Sequence, residues 1–138
     1  EIGGDALDVS GSNLDINLIN ISSVYDKAIS IGEGSIIKLK HANFENISTA
    51  VAVKDGSQAI IENINLNNVI NDAFMTYVKK PIFKGKTTLN VKNLKDILNL
   101  GGKKCVRNIN TIIRINGKIC EISELNVGEL YKKGRMKK

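Results

Sequence analysis

The chain has 138 residues, 42% of them apolar, which is enough for one packed domain and leaves little for a second. No apolar run approaches the roughly 18 residues of a membrane-spanning helix, and no signal or transit sequence is recognisable at the start. The formal charge of +6 conceals a split: residues 1–78 hold four lysines against ten acids, net −6, whereas residues 79–138 hold sixteen Lys or Arg against four acids, net +12.

A phrase recurs along the first part of the chain: Ala6-Leu7-Asp8-Val9 with Gly11-Ser12, Ala28-Ile29-Ser30-Ile31 with Gly34-Ser35, and Ala50-Val51-Ala52-Val53 with Gly56-Ser57. The alanines lie 22 residues apart. So short a period, with strong alternation and a single proline, predicts a β-solenoid in which each repeat makes one turn. The glycines supply the positive φ of a turn between the first and second strands.

Leu14 with Ile16, Ile37 with Leu39, and Ala59 with Ile61 mark a further strand of each turn, with inward side chains at alternate positions. On its outward side Asp15 falls beside Lys38, and Asn17, Lys40 and Glu62 stand in file, so a Lys40–Glu62 surface pair is expected. The last strand of each turn carries asparagine: Ile19-Asn20-Ile21, Ala42-Asn43-Phe44, Ile64-Asn65-Leu66 and Leu89-Asn90-Val91. Three residues further on, Ser23, Asn46, Asn68 and Asn93 form a second row, placed at the bend before the next turn. Stacked amides in such rows bond one another and the bend backbone, so both rows read as structural ladders. The exposed 20/43/65/90 row is also the better candidate for a sugar-binding comb.

Lys79 to Lys86, around Pro81 and Gly85, reads as a loop inserted in the fourth turn, because proline cannot donate to a central ladder. Beyond residue 95 the repeat decays. Ile97, Leu98 and Leu100 begin an incomplete fifth turn that Gly101-Gly102 ends, and Thr111 to Ile122 reads as a hairpin around Asn116-Gly117. The expected architecture is all-β: a right-handed parallel β-helix of about four turns of 22 to 25 residues, ended by a hairpin cap that covers the open strand edge. The expected division is 1–100 for the helix turns, 101–131 for the cap, with a short amphipathic helix over 124–131, and 132–138 for a disordered basic tail. The first repeat starts almost at residue 1, which is Glu and not Met, so further upstream domains of the same protein are expected.

Few residues carry chemistry. Cys105 and Cys120 are the only thiols, and their spacing fits one disulfide as well as two reduced thiols. There is no CxxC, and His41 is the single histidine, so no zinc site and no cofactor is implied. Glu33 and Asp55 occupy equivalent positions beside the glycine turn, and Asp5 and Asp72 share another column. Paired carboxylates at such spacing serve as acid and base or bind calcium, but turn carboxylates are the ordinary reading. The basic half reads as a solvated, solubilising face, with contact to an acidic polysaccharide as the alternative, and Lys38, Lys40, Lys54, Tyr77, Lys79 and Lys80 are the candidate ligand-binding residues. Three Tyr, three Phe and no Trp leave little for base stacking, which speaks against nucleic acid.

The runs from Gly4 to Ser12, Asp26 to Ser35, Ala52 to Ser57 and Tyr77 to Pro81 resemble right-handed β-helix repeat modules. They are similar to those at the C-terminal end of large secreted or surface proteins that also carry a CotH-type, spore-coat kinase-like domain. The resemblance spans about residues 4–94. It implies a secreted or cell-surface setting and attachment to upstream domains, and carries over no catalytic residue. The expected role is a non-catalytic scaffold or binding domain of a larger extracellular protein, with carbohydrate or another envelope component as its partner. The alternatives are a fragment of a polysaccharide lyase or hydrolase, and a module that associates end to end through exposed strand edges.

Overall fold

The computed structural model describes residues 3–108 and 110–120. Ten strands make up the sheet: β1 (Leu7–Ser10), β2 (Asn13–Gly32), β3 (Ile36–Lys54), β4 (Gln58–Val69), β5 (Phe74–Tyr77), β6 (Thr88–Leu94), β7 (Leu98–Leu100), β8 (Cys105–Arg107), β9 (Ile112–Ile115) and β10 (Lys118–Ile119). No helix occurs among the described residues, and none there is long and apolar enough to cross a membrane. Every pairing is parallel except the final β9–β10 hairpin. The chain is a β-solenoid with three faces.

The period-2 alternation of the sequence is what closes the coil. Alternate side chains point to one interior, and each stacks on its equivalent one turn away. On the first face Leu7, Ile29, Val51, Phe74 and Cys105 stand in one file. On the second face Leu14, Ile37, Ala59, Leu89 and Ile113 form one file, and Ile16, Leu39, Ile61, Val91 and Ile115 the next. The third face adds Ile19, Ala42, Ile64 and Leu94, then Ile21, Phe44 and Leu66. Apart from Leu14, which is exposed at the open edge of the first turn, these residues form one continuous apolar core or pack against it. On the first face the outward Ser30, Ala52, Met75 and Val106 are buried as well.

The first and second faces each carry five rungs, so the solenoid has about five turns where the sequence predicted about four. The extra turn was hidden because β8 and β9 keep only the inward apolar residues and lose the alanine and asparagine markers. Leu98 and Leu100 do not begin it: they stack on Asn67 and Val69 and finish the fourth turn. Gly101 then passes so close to the preceding turn that a Cβ there would collide with the Ile70 carbonyl. β8 starts the fifth turn, and β9 extends the second face before the hairpin at Asn116 (φ 53°) and Gly117 (φ 81°) reverses the chain.

The inserted loop displaces the asparagine register. Ala59 to Leu89 spans 30 residues, whereas Ile37 to Ala59 spans 22, and the excess lies between β5 and β6. Asn90 therefore stacks on Ile60 of the second face and is not a member of the 20/43/65 row. Asn93 stacks on Asn63, and both donate to the carbonyl of the residue on the neighbouring turn that precedes the third face, Glu62 and Lys40 respectively. The bend row continues instead through Asn99, since Leu98 and Leu100 pair with Asn67 and Val69 and so set Asn99 against Asn68. Ser23, Asn46, Asn68 and Asn99 all adopt φ between 54° and 61°, which explains why a bend residue that tolerates the left-handed region recurs there.

The other corner uses the Gly-Ser phrase. Glu33-Gly34 and Asp55-Gly56 have positive φ at both residues, and the following hydroxyls stack from turn to turn. Ser35 Oγ receives the Ser12 amide, Ser57 Oγ the Ser35 amide, and Thr87 Oγ1 the Gly56 amide. A buried hydroxyl thus satisfies a corner N–H that the sheet ladder cannot reach. The expectations for 124–131 and 132–138 lie outside the described residues.

Candidate functional site

The six candidate ligand-binding residues do not converge. Lys38 and Lys40 project from the second face, where they line a shallow groove of about 540 Å³ with Asp15, Glu62 and Lys92. Among the described residues Lys40 and Glu62 form no ion pair, so the expected surface bridge is not made. Lys54, Lys79 and Lys80 line a separate pocket of about 430 Å³ at the corner between the first and second faces, together with Asp8, Ser10, Glu33 and Asp55. Tyr77 is wholly buried, at 0% exposure, and presents nothing to a ligand.

The corner pocket brings the paired carboxylates of the sequence together with lysines, and one oxygen of each is already engaged, while Asp55 Oδ2 is buried without a hydrogen-bond partner among the described residues. Asp55 is buried, and its Oδ1 accepts the backbone amides of Lys79 and Lys80, both at 2.6 Å. Glu33 Oε1 accepts the Ser10 hydroxyl at 2.7 Å and lies 3.5 Å from the Lys80 ammonium. The Ser10 hydrogen bond, with Lys80 behind it, holds the Glu33 carboxyl below its ordinary pKa. Asp5 and Asp72 follow the Asp55 pattern: each Oδ1 accepts an amide of the next turn, from Lys27 and Lys103. These carboxylates tie one turn to another.

A groove of about 680 Å³ runs along the third face. Three outward files cross it or border it. Asn20, Asn43, Asn65 and Lys95 form the central file, Ser22, Glu45, Asn67 and Leu98 one flank, and Leu18, His41, Asn63 and Asn93 the other. Six asparagines therefore share one face. Asn43 Nδ2 donates to Asn20 Oδ1 at 2.9 Å, and Asn65 Nδ2 donates to Asn43 Oδ1 at 2.8 Å. An amide has two N–H donors and two acceptor lone pairs, so a laddered Asn43 keeps one donor and one acceptor for the groove. The ladder fixes their direction, and the rungs repeat at roughly 4.8 Å. The sequence displayed the central file but not its neighbours, because Asn63, Asn67 and Asn93 acquire a common face only once the register is known.

Two other features complete the picture. Cys105 and Cys120 are joined in a disulfide with Cα atoms 6.6 Å apart, which ties β8 to the segment after the hairpin. Among the described residues no group of three or more His, Cys, Asp or Glu is placed to hold a metal ion.

No protein-family model, curated protein or solved structure matches this chain. The β-solenoid fold expected from the repeats is present, and no comparison links it to CotH-type proteins.

Proposed function

We propose that this chain is a non-catalytic scaffold and binding domain of a larger extracellular or cell-surface protein, and that its third face binds a carbohydrate chain. The observation that carries the reading is the amide ladder Asn20–Asn43–Asn65 along the third-face groove. Ladder hydrogen bonds pre-order the side chains, so a ligand that bonds to them pays less ordering entropy. Repeated, fixed donors and acceptors suit a repeating polyhydroxyl partner. The engaged carboxylates favour a scaffold over a hydrolase or lyase, and the disulfide favours an oxidising compartment.

The partner's charge is read from where binding is lost. Retention of the protein on immobilised neutral and acidic polysaccharides, measured across a salt titration, separates the two faces. The third-face reading expects retention that survives salt and falls at least tenfold in Asn43→Ala. Retention that disappears with salt and falls in the double variant Lys38→Ala/Lys40→Ala, with Asn43→Ala unaffected, assigns the ligand to the second face instead. No retention on any of them refutes the carbohydrate reading.

A second reading rests on the first turn. Among the described residues the edge of β2 that faces away from β3 is paired only along β1, and Leu14, Leu18 and Tyr25 stand exposed there, Leu18 at 54%. An open edge with apolar side chains takes up another turn of solenoid, including one from a second copy.

A further inference from the structure

A lysine is buried between two carboxylates at the corner that leads into the second rung of the first face. Lys27 is 0% exposed; its Nζ lies 3.3 Å from Asp5 Oδ1 and 3.0 Å from Asp26 Oδ1. Asp26 is 4% exposed, and the Asp5 side chain 12%. Asp5 belongs to the first turn and Lys27 to the second, 22 residues later. Taking three charged groups out of water is costly, and a hydrophobic replacement would often hold the fold as well. A triad kept in this position invites a chemical explanation.

We propose that Asp5 and Lys27 condense to an intramolecular amide, with Asp26 as the proton carrier. The nucleophile, the electrophile and the base are held in contact, and water is kept away from the amine. Intramolecular placement of this kind is worth effective concentrations of about 10⁵ M or more when the geometry is productive. Burial raises the Asp5 carboxyl above its ordinary pKa, against the pull of Lys27, and so increases the share of the neutral acid, which is the better electrophile. The Lys27 backbone N–H donates to Asp5 Oδ1 at 3.2 Å, where it also stabilises the oxyanion of a tetrahedral intermediate.

The step balances without a co-reactant. Asp26 carboxylate takes one proton from the Lys27 ammonium, and the neutral amine adds to Cγ of the protonated Asp5. The Cγ–Nζ bond forms, and the Cγ–O bond to one carboxyl oxygen breaks as that oxygen leaves in water with two protons. Asp26 relays the second nitrogen proton to the leaving oxygen and ends protonated. Product and reactant carry the same net charge.

The consequence is a covalently closed first turn. Terminal turns of a solenoid stack on only one neighbour and open first. The last turn is already fastened by Cys105–Cys120. An Asp5–Lys27 amide would fasten the first described turn to the second in the same way.

Mass spectrometry of the intact, folded full chain tests this, followed by tryptic mapping. The expected result is a mass one water below that of the disulfide-bonded sequence, no cleavage after Lys27, and a linked peptide that contains Asp5 and Lys27. Asp26→Asn and Lys27→Arg should each restore the full mass. Peptide mapping of the unaltered protein decides the matter even if those variants fail to fold. A full mass after prolonged incubation of the folded protein at neutral pH overturns the proposal. So does a lost water that maps to Asp55-Gly56, where succinimide formation has the same mass, with Lys27 cleaved normally.

Discussion

At the bend between the third and first faces, one residue per turn must enter the left-handed region. Ser23, Asn46, Asn68 and Asn99 fill that role, and Asn68 Nδ2 also donates to Asn46 Oδ1 at 2.8 Å. Two effects are superposed at Asn46, a backbone preference and a side-chain hydrogen bond, and two substitutions separate them. Asn46→Ala loses both and is expected to cost about 2 kcal/mol in chemical denaturation, whereas Asn46→Gly keeps the backbone freedom and is expected to cost about 1 kcal/mol less than that. Equal costs for the two variants would mean that the amide ladder alone selects asparagine. The recurrence of asparagine was legible in the sequence; its division into a strained bend row and an extended face row was legible for three turns only. Asn90 and Asn93 went to the wrong files because local spelling, Leu-Asn-Val followed by Asn-Leu, imitates the row motif one strand too early.

At the scale of elements, the last turn is held differently from the others. Among the described residues β8 pairs with β5 alone, and β9 with β6 and the two-residue β10, so few described ladder bonds hold the fifth turn. Asn116 compensates in part: its Oδ1 accepts the Leu94 amide and its Nδ2 donates to the Leu94 carbonyl. The disulfide closes a segment with a sequence separation of 15, for which loop-closure entropy predicts about 3 kcal/mol. Cys120→Ser is therefore expected to lower the stability by about 2–4 kcal/mol and to release hydrogen-exchange protection in β8 and β9 before β3. Uniform loss of protection along all five turns would show that the bond supports the whole solenoid and not its end. The cysteine spacing permitted this bond without requiring it. What brings the two residues together is the return of the chain through β9 and β10, which no pairwise spacing encodes.

At the scale of the whole molecule, the two ends are unlike. Among the described residues, the fifth turn leads into a hairpin and a disulfide, while the first turn leaves the β2 edge and Leu14, Leu18 and Tyr25 exposed. If that edge accepts a further turn from another copy, sedimentation velocity should show mass rising with concentration, and Leu18→Glu should return the protein to monomer. A strictly monomeric wild-type chain over the micromolar range would remove self-association from its repertoire. The stability of such a stack is a sum of turn and neighbour terms, so loss of an end turn should leave the central turns, β2 to β4, folded.

The sequence by itself determined the period, the inward files, the glycine corners and the β-solenoid class. Those follow from alternation and φ preference, which act within a few residues and repeat visibly. Only the tertiary structure decided the register beyond residue 78, the number of turns and the sharing of one face by six asparagines. It also decided the burial of Lys27 between Asp5 and Asp26. In a parallel stack each pairing joins residues a whole turn apart, so one inserted loop shifts every later partner while leaving the local pattern unchanged.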